Sequence, residues 1–143
     1  MSDEKIIILV VDDKEGQRSD LKWASEGKNR QIFEASDSDE ASRLINKNNF
    51  HVVITDMWMK DEREGGLTVL KAAKKRDLLT QVIVVTAYGQ TDKGPKIGVK
   101  AMLEGAFDYI ECNIPGIDYL TLLKHKIDLA LEFRNAKIGD KNG

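Results

Sequence analysis

Ile6-Ile-Ile-Leu-Val-Val-Asp12-Asp13 decides the fold. The six apolar residues before the acid pair are too few for a membrane span or a leader-peptide core. They show no polar alternation, so they read as a strand buried on both faces, the kind found in parallel sheets covered by helices. Val52-Val-Ile-Thr55 and Val82-Ile-Val-Val-Thr86 read the same way, and weaker strands fit at 31–34 and 106–110. The segments between them read as helices. Residues 37–48 open on capping residues and place Ala41, Leu44 and Ile45 at three- and four-residue spacing, and 66–76 does the same with Leu67, Leu70 and Ala73. Helices are also expected at 16–26, 96–104 and 117–136. Five strands alternating with five helices predict an α/β, doubly wound parallel sheet with right-handed crossovers. One domain over 1–138 is expected, with 139–143 as a frayed tail.

Composition agrees with one folded domain. Of 143 residues, 41% are apolar and 32% charged, with 11 Gly and 2 Pro, which excludes collagen-like, proline-rich and disordered classes. Lys and Arg number 22 against 24 Asp and Glu, a formal charge of -2, so no general attraction to nucleic acid or anionic membrane follows. Cys112 is the single cysteine and allows no disulfide within the chain, and the opening Met-Ser-Asp-Glu-Lys is acidic and polar. Both point to a cytoplasmic location.

The chemistry lies at the strand ends. The three strong strands finish in Asp12-Asp13, Thr55-Asp56 and Thr86. Carboxyl ends of parallel strands face the same way, so three carboxylates and a hydroxyl should meet in one crevice, where ligands sit in doubly wound folds. Two unit charges ~4 Å apart repel by about 4 kcal/mol at an effective dielectric of 20, so three clustered carboxylates call for a cation. A hard, oxygen-seeking ion such as Mg²⁺ fits.

With these residues in place the chain resembles the receiver domain of two-component response regulators, over residues 5 to about 135. The resemblance is carried by Asp12-Asp13, Asp56 with Met59 three further on, Gly66-Leu67, Thr86-Ala87 and Gly105-Ala-Phe-Asp-Tyr-Ile110. It implies a flavodoxin-like sheet in the order 2-1-3-4-5. It also implies Asp56 as phosphoacceptor, with Mg²⁺ held by Asp12, Asp13, Asp56 and the backbone carbonyl of Trp58. Thr86 and Ala87 would contact the phosphoryl group, and Tyr109 would change exposure on activation. A histidine kinase or phosphotransfer protein would be the donor and a protein effector the recipient, without direct nucleic-acid binding, membrane insertion or turnover of a separate substrate.

The chain also departs from that pattern. The family's fifth strand usually leads into Lys-Pro, whose lysine reaches the phosphoryl group, whereas this chain has Cys112-Asn113. A neutral thiol cannot replace an ammonium ion. The rebuilt loop is expected to open the last helix at Pro115. Lys60 stands where the family usually has proline, and Gly66 arrives two residues late, so the loop beside the acceptor is longer. Extra residues after Thr86, with Gly94, Pro95 and Gly98, should shorten or loosen the fourth helix. Lys60, Arg63 and Lys93 are the candidates to replace the missing cation.

Other features have plainer readings. Cys112 is expected as a small core residue, and His51 and His125 lack metal-ligand spacing. The last helix carries a core stripe of Ile117, Leu120, Leu123, Ile127 and Leu131, yet Tyr119, Leu122, Leu129 and Phe133 extend around it, as in a homodimer or docking face. Two other functions compete with the receiver reading. One is a receiver-like interaction domain independent of phosphorylation. The other is an enzyme or cofactor binder, disfavoured because no glycine-rich turn follows the first strand and Trp58 stands where a haloacid-dehalogenase-type phosphatase has its second aspartate.

Overall fold

A computed structural model describes residues 4–87 and 94–142. In chain order the elements are β1 (Ile6–Val11), α1 (Glu15–Ser25), β2 (Arg30–Ala35), α2 (Ser38–Lys47), β3 (Val52–Asp56), α3 (Gly65–Arg76), β4 (Gln81–Thr86), α4 (Gly94–Leu103), β5 (Asp108–Glu111) and α5 (Tyr119–Asn142). The strands form one sheet, β2-β1-β3-β4-β5, and every neighbouring pair is parallel. The fold is therefore the flavodoxin-like α/β sandwich expected from the alternation of strands and helices.

Burial explains why the apolar runs lack alternation. Leu9, Val53 and Val84 face a core shared with Ile45, Leu70 and Ala101 of α2, α3 and α4. Their neighbours Ile8, Ile54 and Ile83 face the opposite core, with Leu21 of α1 and Leu123 and Ile127 of α5. Each strand therefore needs an apolar side chain at every position. Asp37 caps α2, its carboxylate accepting the Glu40 N–H at 2.7 Å, and Glu40 in turn accepts the Ser36 N–H at 2.7 Å. These reciprocal bonds resemble a capping box and fix where the helix leaves β2.

The expected start of the last helix is corrected. Pro115 does not open the last helix: it lies in a turn, and Asp118 is the capping residue, its carboxylate accepting from the Leu120 N–H at 3.2 Å and the Thr121 hydroxyl at 2.7 Å. A side-chain acceptor satisfies the free N–H groups of a first turn, which proline at 115 cannot do from outside it. Ile117 therefore precedes α5 and is 52% exposed, so it leaves the core stripe, while Leu123, Ile127 and Leu131 stay buried. The helix α5 runs to Asn142. Among the described residues no helix is long and apolar enough to cross a membrane.

Candidate metal centre

Strand register builds the site. Val11 pairs with Thr55, Asp56 with Val85 and Thr86 with Glu111, so the residues just past these pairs line one edge of the sheet. Asp12, Asp13 and Asp56 converge there, each offering a carboxylate oxygen within 4.8 Å of the others. Asp12 is fully buried and Asp56 nearly so. Loop geometry holds the pair apart. The Asp12 carboxylate accepts the Lys14 N–H at 2.9 Å, and the Asp13 carboxylate accepts the Lys60 N–H at 2.7 Å.

Burial and like charge raise both buried carboxyls. Asp56 is pushed up to about 7, first by burial and then by the Asp12 charge, while Lys14 opposes the shift. Asp12 also rises through burial, partly offset by its bond to the Lys14 N–H. Asp56 therefore keeps part of its proton at neutral pH unless a cation joins the cluster. Asp12 Oδ2 and Asp13 Oδ1 are buried without a hydrogen-bond partner, a cost that a hard divalent ion would remove. The residues present therefore fit such an ion.

Of the remaining expected residues, Thr86, Ala87 and Trp58 stand at or just past the strand ends, whereas Tyr109 lies two residues below that level, opposite Val84. Thr86 ends β4, nearly buried, and its carbonyl accepts the Cys112 N–H at 2.9 Å. Ala87 follows it, half-buried. Trp58 leaves β3 partly buried, its ring against the core and under the Arg63 guanidinium, 5.9 Å from the centroid. Tyr109 is half-buried on β5, and its ring lies directly over Gly98 of α4, where a Cβ would collide with it. Gly98 is thus needed for the aromatic to lie inward. Lys93 falls outside the described residues.

Cys112 packs against the core beneath α1 and α5, as expected, but at its margin. It is half-buried, and its sulfur accepts the Gln17 amide at 3.7 Å. Burial, followed by the Asp56 charge, raises its thiol, so it stays neutral beside the acids. The sequence reading missed Gln17 and also Lys14 and Arg18; Arg18 donates to the Asp12 carbonyl at 2.9 Å. Their only signal was position, directly after the acid pair and on the first turns of α1.

Comparison with known proteins agrees with this geometry. The family model described as the response regulator receiver domain matches residues 8–124. The chain belongs to that family and is a receiver domain of two-component signalling, not a conventional enzyme. It is 32% identical over 124 residues to a putative response regulator NtrX-like of Rickettsia typhi, covering 85% of this chain and 25% of the relative. The chain thus spans about a quarter of the length of the NtrX-like relatives it matches. It is 31% identical over 125 residues to sporulation initiation phosphotransferase F of Bacillus subtilis, covering 85% of this chain and 98% of that one. Among solved structures, a response regulator receiver domain protein from Clostridium thermocellum superposes with a TM-score of 0.75 at 29% identity, over 92% of this chain and 98% of that one.

Proposed function

We propose that Asp56 accepts a phosphoryl group in a Mg²⁺-dependent reaction and that the chain passes the resulting change on through protein contacts. The observation that carries the reading is the set of three carboxylates within 4.8 Å, two of them with buried, unpartnered oxygens. Nothing in the packing of the sheet calls for that arrangement. Asp12, Asp13, Asp56 and the Trp58 carbonyl would hold the ion, which supplies charge neutralisation to the phosphoryl oxygens. Thr86 and Ala87 would contact those oxygens, and Tyr109 would report the change on the α4 side. The donor would be a histidine kinase or phosphotransfer protein, the setting the cytoplasm, and the recipient a protein effector or a second copy of the chain.

An Asp56 carboxylate oxygen forms a bond to phosphorus while the bond from phosphorus to the donor's nitrogen breaks. The electron pair leaves with the imidazole, and Asp56 becomes an acyl phosphate. Little covalent work falls to the protein, so positioning and charge dominate. The test is intact-protein mass after incubation with Mg²⁺ and acetyl phosphate, alongside Asp56→Asn. One phosphoryl adduct on the parent and none on the variant is expected. Cys112 at the lysine position favours a second reading, a phosphorylation-independent interaction domain. Partner binding unchanged by Asp56→Asn, with no adduct on the parent, would establish that alternative.

A further inference from the structure

The receiver reading leaves a gap: the phosphoryl group carries negative charge, and the place of the family's lysine holds a neutral thiol bonded to Gln17. Three described cations border the groove that opens beside Asp13, with Trp58 and Met59 in its wall: Lys14, Lys60 and Arg63. They are not equivalent. Arg63 lies over the Trp58 ring, and Lys60 meets the cluster through its main chain, its N–H bonded to Asp13. Arg18 is held by the Asp12 carbonyl and by Glu34, whose carboxylate lies 3.3 Å from Nε. Lys14 and Lys60 are anchored alike, each through a backbone N–H on one acid of the pair, and neither ammonium has an ion-pair partner among the described residues. They differ in the acid that holds them: the half-buried Asp13 for Lys60, and the fully buried Asp12 for Lys14, which is also the N-cap residue of α1.

The geometry points to Lys14 as the residue that supplies the positive charge to the incoming phosphoryl group in place of the missing lysine, reaching it from the β1–α1 turn instead of from the end of β5. The assignment rests on the phosphoacceptor reading of Asp56. The electrostatics agree with it. Of the cations acting on Asp56 and on Asp12, Lys14 has the largest effect on each carboxyl. A flexible, exposed ammonium whose backbone is anchored at the acid pair can follow the phosphoryl group during transfer without being buried beforehand. With acetyl phosphate as donor, the Asp56 oxygen bonds to phosphorus, the bond from phosphorus to the acetate oxygen breaks, and acetate leaves with the electron pair. Lys14 acts on the charge of the transferring group and exchanges no proton.

The test follows the rate of adduct formation by intact mass for the full chain with Mg²⁺ and acetyl phosphate. Lys14→Gln should slow the reaction by about tenfold or more, less than the roughly 10²–10³-fold cost of removing a preorganised buried donor because Lys14 is exposed. Lys14→Arg should recover most of the rate, and so should Lys14→Gln combined with Cys112→Lys, which restores an ammonium at the usual place. Calorimetric titration with Mg²⁺ alone separates charge from structure. Lys14→Gln should bind Mg²⁺ as tightly as the parent or more tightly, because a repelling cation is gone. Weaker binding would trace the slow rate to a damaged acid cluster and overturn the proposal. Equal rates for the parent and Lys14→Gln would overturn it alone, and so would failure of both Lys14→Arg and the double variant to recover the rate. Absence of an adduct on the parent would overturn this proposal and the phosphoacceptor reading together.

Discussion

Asp56 joins the physics of the fold to the chemistry of the site in one side chain. Its carboxyl sits at about 7 because burial and Asp12 both penalise the charged form. The metal-free folded chain therefore holds this proton more tightly than the unfolded chain does. That contribution to stability is fully present below the ordinary carboxylate range and is lost as pH rises through about 7. Asp56→Asn removes both the titration and the repulsion. In chelator, its melting temperature should exceed the parent's by more at pH 8 than at pH 5, as scanning calorimetry would read. A gain independent of pH would mean that the carboxyl titrates in its ordinary range. Excess Mg²⁺ should shrink the difference by raising the parent more than the variant, because binding to the folded chain alone stabilises it by mass action.

At the scale of elements, the site depends on how closely α3 approaches the end of β3. The Gly66 N–H bonds the Met57 carbonyl at 3.0 Å, and a Cβ on Gly66 would lie 2.5 Å from the Asp56 carbonyl oxygen and 2.7 Å from the Met57 Cα. These are backbone atoms that cannot swing aside. Gly66→Ala should thus cost about 1–3 kcal/mol in chemical denaturation and weaken Mg²⁺ binding as well, because the displaced segment carries Asp56. A stable variant with intact Mg²⁺ affinity would show that α3 can shift without moving the acid. His51 does comparable work at the other end of the sheet. Its Nδ1 accepts the Ile7 N–H at 3.1 Å while the His51 main-chain N–H donates to the Ile7 carbonyl at 2.9 Å, tying β1 to the start of β3. Burial, followed by the Arg134 charge, holds its imidazole below the usual range. Its folded pKa is depressed, so its contribution is present above about 6.5 and is lost as pH falls through the folded value. His51→Gln should reduce the loss of stability on acidification below that point, as denaturation midpoints at several pH values would show. The elements themselves were legible because strands buried on both faces leave continuous apolar runs, as Ile6–Val11 does. The acid cluster was legible because Asp12, Asp13 and Asp56 interrupt those runs where no core position needs a charge. The start of α5 was not, since Pro115 and Asp118 are both helix openers and only the carboxylate reaches the free N–H groups. Lys14 was missed because a lysine in a loop gives no periodic signal, and the turn that bonds its main-chain N–H to the Asp12 carboxylate is visible only in the folded chain.

For the molecule as a whole, the question is which part can respond to charge at the strand ends. The helices are not held equally. α3 buries Gly65, Gly66, Leu67, Val69, Leu70 and Ala73, whereas α4 buries Ile97 and Ala101 along with Gly98 and leaves Val99, Met102 and Leu103 exposed at 59%, 44% and 83%. Apolar burial contributes about 25 cal/mol per Å², so α4 is the more weakly anchored of the two. It is also the helix on which the Tyr109 ring rests, through a glycine that leaves no room for displacement inward. Local opening draws on the least stable segments, which makes α4 with its β5 contact the movable part and β1, β3 and α3 the fixed frame. Hydrogen exchange followed by mass spectrometry should find the amides of 94–103 exchanging well before those of 65–76 in the metal-free chain. Adding Mg²⁺ with beryllofluoride, a stable mimic of the acyl phosphate, should change exchange in 94–111 and leave the apolar strands β1 and β3 as they were. Asp56→Asn should remove the change while keeping the order of exchange in the free state, since that order comes from packing and not from the acid. If α3 and α4 exchanged alike, packing would not favour α4 as the moving part. If the response spread evenly over both faces of the sheet, the signal would travel through the core and not through the helix that Tyr109 touches.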